Sequence, residues 1–507
     1  MPSYSSHQFY KDWRYSLAKD FTSPSGEPVK YARDGFRTWG SERYRIPFPE
    51  SPNGASVNSD KSLIAIASKE DIHIYETANF TRVLVLKGHV SPIECFDFHP
   101  KDPKLLVSAE SGFRPGSPAG EPTILFWNLD DEKDNPMLDE NIISKIAGEA
   151  AETAIRSLQK ADPRLDLSPE DEKSLSTAFE PAITNTVKTR RAASRKSLIG
   201  RLQDAFQSHI FSPSGSYLIY MPGKRPRSNG NDVWDIRIYS MVTHEDVFTL
   251  SGHSDAMMWF GFSPDEGMIA TVSWDQTMRI WDAENGDQKY MFKTANQNWT
   301  GGFSPDSQKF AGTSVDGTLY VYSMIDGATL VQHKAESGRG WLRALSWSVD
   351  SQAVAVGGGH GGGPGLLFLY DLVEDKVTQQ RVLSTDACQV EPEIRRMMGG
   401  YLECNAVRFV DGGRKVVTLI SGDGGFETYD LETWEKWRFA RPGVDPQPKE
   451  IEAGEDGAGN GEEKEIAHGG YLTTIWEDEK RKTIWIASMD SDGVRIWDLP
   501  MSTGETA

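Results

Sequence analysis

Cysteine is scarce in this chain: Cys95, Cys388 and Cys404 are the only three in 507 residues, and no two of them form a C-x-x-C pair. That excludes a disulfide framework and a paired-cysteine zinc or redox motif, and it points to a reducing compartment. Long apolar runs are missing as well. The opening stretch "MPSYSSHQFYKDWRYSLAKDF" has no apolar core of signal-peptide length, and nothing further along could span a bilayer. The expected location is therefore the cytoplasm, the nucleus or both. The ten histidines are scattered without metal-ligand spacing, so neither a metal nor a cofactor is expected. No G-x-S-x-G elbow is present. The glycine run "VGGGHGGGPG" (356–365) lacks the Lys-Ser/Thr ending of a phosphate loop and joins two expected strands, so it reads as a flexible loop. Positive charge is in the minority, 54 Lys and Arg against 74 Asp and Glu for a net charge of -20, which disfavours direct nucleic-acid binding.

What the chain does have is tryptophan (15), glycine (47) and a phrase that returns. Its copies are "DFHPKDPKLLVSAE", "IFSPSGSYLIYMPG", "GFSPDEGMIATVSWD", "GFSPDSQKFAGTSVD", "SWSVDSQAVAVGGG" and "RFVDGGRKVVTLISGDG". Each reads as a strand, a tight Ser/Pro/Asp/Gly turn and a second strand of β-branched and small residues. A third strand with period-two apolar alternation follows each copy, as in "TILFWN", "DIRIYS", "TMRIWD", "TLYVYS", "LLFLYD" and "GFETYD". A fourth strand then leads to the next copy. Less perfect copies lie at 57–86 and 471–499; the last lacks a fourth strand, which "SERYRIPF" (41–48) could supply.

These residues resemble the WD-repeat β-propeller family over most of residues 41–499. The family signature is matched in full by Gly252-His253, Asp275 and Trp281-Asp282, and in part by Gly88-His89 with Trp127, Asp316 with Tyr322, Asp423 with Tyr429, and Trp497-Asp498 with His468 as a stand-in histidine. The resemblance implies an all-β propeller of eight blades, with seven as the alternative. Residues 1–40 form an N-terminal extension and 500–507 a tail. The propeller (41–499) is interrupted by a mainly helical and basic insertion (131–204), after strand three of the second blade, and by an acidic disordered loop (443–468). By the same resemblance, His253, Ser273, Asp275 and Trp281 in and before "SWDQTMRIWD" form a hydrogen-bonded structural tetrad. A hydrolase triad would use the same residue types, but it needs an exposed nucleophile and an oxyanion hole, so no catalytic residues are expected.

In the insertion, Ile142, Ile143, Ile146, Ile155 and Leu158 recur near helical spacing, and Ser168 with Pro169 has the form of a helix start. The run "KTRRAASRKSLIGR" is basic throughout and reads as a solvated loop, an import segment or a basophilic kinase site at Ser194. "VWDIRIYS" carries a W-D-x-R of the kind that marks ubiquitin-ligase adaptors, but Trp234-Asp235 opens its strand instead of closing it. Three loops between strands two and three are expanded, at 111–122, 221–233 and 357–365. They carry Arg114, Lys224, Arg225, Arg227 and His360, which makes that face the expected partner surface, suited to acidic or phosphorylated peptides. The expected function is a non-catalytic protein-interaction scaffold of an intracellular multiprotein assembly. An enzyme built on a propeller and a ubiquitin-ligase substrate adaptor are the alternatives.

Overall fold

The computed structural model describes residues 16–32, 42–112, 120–134, 140–161, 167–193, 196–203, 208–226, 234–335, 340–360, 365–384, 403–420, 425–439, 469–490 and 493–502. Contacts divide the chain into two compact units. The larger is Met1–Ala55, Gln203–Met221 and Pro226–Ala507; the smaller is Ser56–Leu202 and Pro222–Arg225. Both are built mainly from antiparallel sheets in which most neighbouring strands are consecutive in sequence, an all-β propeller architecture.

The repeat unit is plainest in Met257–Phe262, Met268–Ser273, Thr277–Asp282 and Gln288–Lys293, which pair in that order. The recurring Ser-Pro-Asp phrase is the turn between the first two strands. Ser263 Oγ accepts the Met268 N–H at 2.9 Å and donates to Asp265 at 2.6 Å, while Asp265 accepts the Gly267 N–H at 3.0 Å. Ser304, Asp306 and Lys309 repeat this arrangement, as do Ser348, Asp350 and Ala353. Short polar side chains that satisfy the backbone of their own turn make the phrase a local fold signal. Successive turns are also tied together: Ser307 Oγ accepts from Asp265 N at 3.1 Å, and Ser351 Oγ from Asp306 N at 3.2 Å.

Burial falls from the inner strands outward. Every residue of Met268–Ser273 is buried, whereas Gln288–Lys293 is mostly exposed. The apolar core therefore lies between sheets: Trp259 and Ile280 pack with Phe303, Phe310 and Tyr322 of the following sheet, and Phe426 and Trp437 with Ile486 and Trp497 of the next pair. Each sheet buries its faces on its neighbours, as stacked repeats must.

In the larger unit, Tyr44–Pro47 pairs antiparallel with Gly493–Pro500, Tyr44 opposite Ile496, and so supplies the fourth strand to Gly469–Asp478 and Thr483–Asp490. In the smaller unit, three helices follow the strand Thr123–Asn128: α1 (Leu129–Asp134), α2 (Glu140–Ala161) and α3 (Pro169–Ala193). Ser168 caps α3, exchanging bonds with Asp171 through its hydroxyl and its N–H. Helix α2 buries Ala147, Ala151 and Ile155, one face at i, i+4 spacing, and leaves Leu158 exposed, contrary to the apolar stripe expected there.

Three further expectations need correction. Helix α3 runs to Ala193, so positions 188–193 of the basic run are helical, and Ser197–Arg201, assigned above to the insertion, is a strand with Ile199 opposite Thr123. The N-terminal extension contributes the strands Ser16–Lys19 and Lys30–Tyr31. The glycine run is half strand: Ala353–His360 includes Gly357 and Gly358 because neighbouring backbone comes too close for a side chain. A Cβ on Gly357 would lie 2.6 Å from the Cys404 carbonyl oxygen, and one on Gly358 would strike the Trp341 carbonyl and sit 2.9 Å from Leu342 Cα. Residues 443–468, Ser194 and His468 lie outside the described residues.

This packing predicts opposite effects for two alanine substitutions. Gly358→Ala forces backbone apart and is expected to cost about 1–3 kcal/mol in a denaturant titration. Gly148→Ala, in helix α2 with open space around it, is expected to stabilise by about 0.5–1 kcal/mol.

Candidate functional site

The strands Met268–Ser273 and Thr277–Asp282 bring the histidine of the full signature copy into a chain of hydrogen bonds. His253 Nδ1 lies 2.7 Å from Asp275 Oδ2, His253 Nε2 lies 2.7 Å from Thr271 Oγ1, and the Trp281 indole N–H donates to the same hydroxyl at 2.9 Å. Burial alone would raise the Asp275 carboxyl, but the hydrogen bond and charge of His253, with the Thr277 hydroxyl and the Ser254 N–H, hold it at about 2. As a carboxylate it only accepts, so Nδ1 carries the imidazole proton and Nε2 accepts from Thr271. Burial lowers the His253 pKa, opposed by Asp275, and the ring is neutral at pH 7. Gly252 is required beside it: its φ is +133°, and a Cβ would collide with the Arg279 guanidinium, which donates to the Gly252 carbonyl at 2.7 Å.

The hydroxyl in this chain belongs to Thr271, not to Ser273. Trp281 stands opposite Ile269, so Thr271 is two residues along the strand and Ser273 four, about 7 and about 13 Å at the rise of a strand. Only the nearer hydroxyl is within reach of the indole. Ser273 Oγ instead donates to the Asp255 carbonyl at 2.9 Å and accepts the Asp275 N–H at 3.1 Å, bracing the turn. Both imidazole nitrogens are engaged and the His253 and Asp275 side chains are almost wholly buried, so the arrangement is built to lock a turn.

A second network lies in the smaller unit. His89 Nε2 is 2.6 Å from Ser108 Oγ, which also receives the Trp127 indole N–H at 2.7 Å. Ser108 is two residues along from Leu106, the residue opposite Trp127, as Thr271 is from Ile269. The carboxylate comes from Glu110, on the strand itself. It accepts Val90 N at 2.7 Å and Ser91 N at 2.9 Å and stands 3.7 Å from His89 Nδ1. Burial works to raise Glu110, and His89 with the two N–H groups lowers it further than burial raises it.

In the larger unit, a further cluster gathers at the ends of strands where the loops between strands two and three and the inter-repeat loops lie. Trp234 precedes Ile236–Ser240, Trp274 sits in the turn after Met268–Ser273, and Trp299 and Trp341 stand at the starts of Asn298–Phe303 and Trp341–Trp347. Trp274 meets Trp299 edge-on at 5.3 Å, Trp299 meets Trp341 at 5.0 Å, and the Arg343 guanidinium lies 4.4 Å from both the Trp299 and Trp341 rings. Glu403 pairs with Arg343 at 3.4 Å. Burial raises the Glu403 carboxyl against the pull of Arg343. Trp234 is buried here with Ala256 and Met258, so the W-D-x-R tryptophan serves packing. Trp274 and Trp341 remain half-buried.

The sequence-based partner residues are scattered. Arg114 and Arg227 lie outside the described residues. Lys224 and Arg225 are exposed in the smaller unit, where Arg225 is near enough to Arg201 to act on it; burial is the larger cause that lowers the Arg201 guanidinium to about 10. His360 falls in the larger unit, where the ladder sets its backbone opposite Trp341 at the aromatic cluster. The cluster itself escaped the sequence reading; its signal was tryptophan at the openings "QNWT" and "GWLR". Among the described residues, no three His, Cys, Asp or Glu side chains converge as metal ligands, and no helix is long and apolar enough to cross a membrane.

Comparison with known proteins agrees with this geometry. The family model "WD domain, G-beta repeat" matches residues 244–282, the stretch that holds the His253 network. A ribosome biogenesis protein WDR12 homolog of Ixodes scapularis is 22% identical over 303 residues, 60% of this chain and 61% of that protein. A periodic tryptophan protein 2 homolog of Neurospora crassa is 34% identical over 94 residues, 18% of this chain and 10% of that protein. Subunit I of eukaryotic translation initiation factor 3 from Candida albicans is 25% identical over 223 residues, 41% of this chain and 59% of that protein. The matches thus span from 10% to 61% of these relatives' own lengths. Repeat, network and family model agree on the fold class, a WD-repeat β-propeller, with the family model covering one repeat of it.

The assignment of Thr271 is directly testable. Thr271→Ala strands the His253 and Trp281 ring nitrogens together and is expected to cost about 2–3 kcal/mol in chemical denaturation, with Ser273→Ala costing less, about 1 kcal/mol. The pH dependence has one sign for both titrating partners. His253 and Asp275 have folded pKa values below their ordinary 6.5 and 3.8, so each contributes in full above that value and the contribution fades as pH falls through it. The stability gap between wild type and His253→Asn should narrow from pH 7 to pH 4, and a constant gap would contradict the network.

Proposed function

We propose that this chain is a non-catalytic protein-interaction scaffold of an intracellular multiprotein assembly, and that the assembly belongs to ribosome production or translation initiation. Two things support the reading: the names of the similar repeat proteins, and the aromatic cluster of Trp274, Trp299 and Trp341, the last two against Arg343. The cluster is the observation that carries it. Tryptophan and arginine are the residue types that concentrate binding energy at protein interfaces, and here they are held rigidly at strand ends, where a partner meets little entropic cost. The partner is a protein, with nucleus or cytoplasm as the location. Lys224 and Arg225 offer a separate cationic contact for acidic or phosphorylated segments. The net charge of -20 argues against nucleic acid as the direct ligand.

Capture from nuclear and cytoplasmic extracts followed by mass spectrometry tests this reading. Wild-type protein should return a stoichiometric set that includes ribosome-assembly or initiation proteins. A Trp274→Ala/Trp341→Ala variant that keeps its circular dichroism spectrum should lose at least about tenfold of that capture, since interface tryptophans commonly contribute 2 kcal/mol or more. Undiminished capture by the variant would move the interface elsewhere, and a solitary monomer that consumes a metabolite would favour the enzyme reading.

A further inference from the structure

The leading residues 16–32 add an outer strand to two neighbouring sheets of the larger unit. Ser16–Lys19 pairs antiparallel with Lys376–Ser384, Leu17 opposite Leu383, and Lys30–Tyr31 pairs parallel with Glu435–Phe439, Tyr31 opposite Lys436. Between them the segment turns back on itself, with Ser23 N bonding to Glu27 O at 2.8 Å and Val29 N to Phe21 O at 3.0 Å. The Gln379 side chain reads this backbone as a strand would: its amide accepts from Thr22 N and donates to Thr22 O, both at 2.8 Å.

Asp20 and Phe21 anchor the segment. Phe21 is fully buried, 4.3 Å from the Tyr429 ring, among Ala344, Leu367 and Val416 of the two sheets. Asp20 receives the Lys436 ammonium at 2.5 Å, and the Tyr429 hydroxyl lies 3.0 Å from Asp20 Oδ1 and 2.8 Å from Glu427 Oε2. Beneath them Arg381 and Glu427, both wholly buried, pair at 2.7 Å, and Arg381 also reaches Thr418. The Tyr31 hydroxyl donates to Glu427 at 3.3 Å, and the Lys436 ammonium lies 4.6 Å from the Tyr31 ring. Among the described residues, the floor offered by the sheets thus sets Arg381 and Lys436, with Arg438 acting from the same strand as Lys436, against the carboxylate of Glu427. The segment brings the second carboxylate. Burying a charge without its partner costs several kcal/mol, so this floor selects an acid.

We propose that the outer edges of these two sheets form a recognition groove for an extended segment whose anchors are an aspartate followed by a phenylalanine, occupied here in cis by residues 16–32. The main-chain pairing supplies affinity, as in strand addition, and the Lys436–Tyr429 pocket supplies selectivity. The groove is separate from the tryptophan cluster and does not rest on the function proposed above.

Hydrogen exchange and peptide binding on the full-length chain test this. In Asp20→Asn/Phe21→Ala, amides of Lys376–Ser384 and Glu435–Phe439 should exchange at least about tenfold faster, while Met257–Phe262 and Asn298–Phe303 keep wild-type protection. A labelled synthetic peptide of residues 16–32 should bind this variant saturably and wild type at least about tenfold more weakly, because the resident segment competes. The same peptide carrying Asp20→Lys should not bind. Exchange that rises in every sheet, or a peptide that binds neither protein or both alike, would overturn the proposal. Should the double variant not fold, Tyr31→Phe removes one hydroxyl alone; a smaller rise confined to the same two strands is expected, and no rise, or one spread over other sheets, would overturn it.

Discussion

A polar side chain on a strand buried on both faces costs stability unless a partner satisfies it, and that constraint shapes the His253 and His89 copies of the repeat. Met268–Ser273 has no exposed residue, yet it carries Thr271. The hydroxyl is tolerated because it donates to one ring and accepts from another, His253 and Trp281. Ser108 plays the same part between His89 and Trp127. Where Tyr429 takes the tryptophan position, opposite Val416, the hydroxyl two residues along is Thr418, which meets the Cys404 thiol at 2.7 Å and Arg381 of the neighbouring sheet at 3.3 Å instead of a histidine. That substitution puts a buried cation between sheets. Glu427 answers it, its carboxyl held at about 2 by Arg381, Lys436 and Arg438 against the burial that would raise it. Acid therefore weakens this pair as pH falls through the ordinary range of a glutamate towards 2.

What was legible in the sequence was what is local. The Ser-Pro-Asp turn could be read because Ser263, Asp265 and Met268 satisfy each other within six residues, and its recurrence gave the strand order. The pairing of "SERYRIPF" with the last sheet was legible for a different reason: a sheet short of one strand and a strand without a sheet stood at opposite ends of the chain. Thr271 was missed because choosing between it and Ser273 needs the cross-strand register of Trp281. Glu110 was missed because its carboxylate comes from a strand while the family places one in a turn. The groove around Asp20 was invisible, since Lys436 is 416 residues away and nothing in either neighbourhood marks the pair. The glycine run misled in the other direction. A string of glycines reads as a flexible loop, but Gly357 and Gly358 are there to let backbones approach.

The same division separates the residues that the repeat requires from those that it does not. Apolar and polar complementarity between sheets leaves the strand ends free to carry residues that the repeat does not need. Trp274, Trp299 and Trp341 stand at such ends, Trp274 edge-on to Trp299 and the Arg343 guanidinium over Trp299 and Trp341. These packed aromatics are the feature on which the proposed scaffold reading depends.

The central claim is that the histidine, hydroxyl, carboxylate and indole act as one structural network. A double-mutant cycle of His253→Asn and Trp281→Phe measures it most directly, because Thr271 joins the two side chains by hydrogen bonds and Trp281→Phe keeps an aromatic ring for the edge contact between them at 6.5 Å. The account predicts a coupling energy of about 0.5–3 kcal/mol in equilibrium unfolding. Additive losses, with no coupling beyond experimental error, would contradict it.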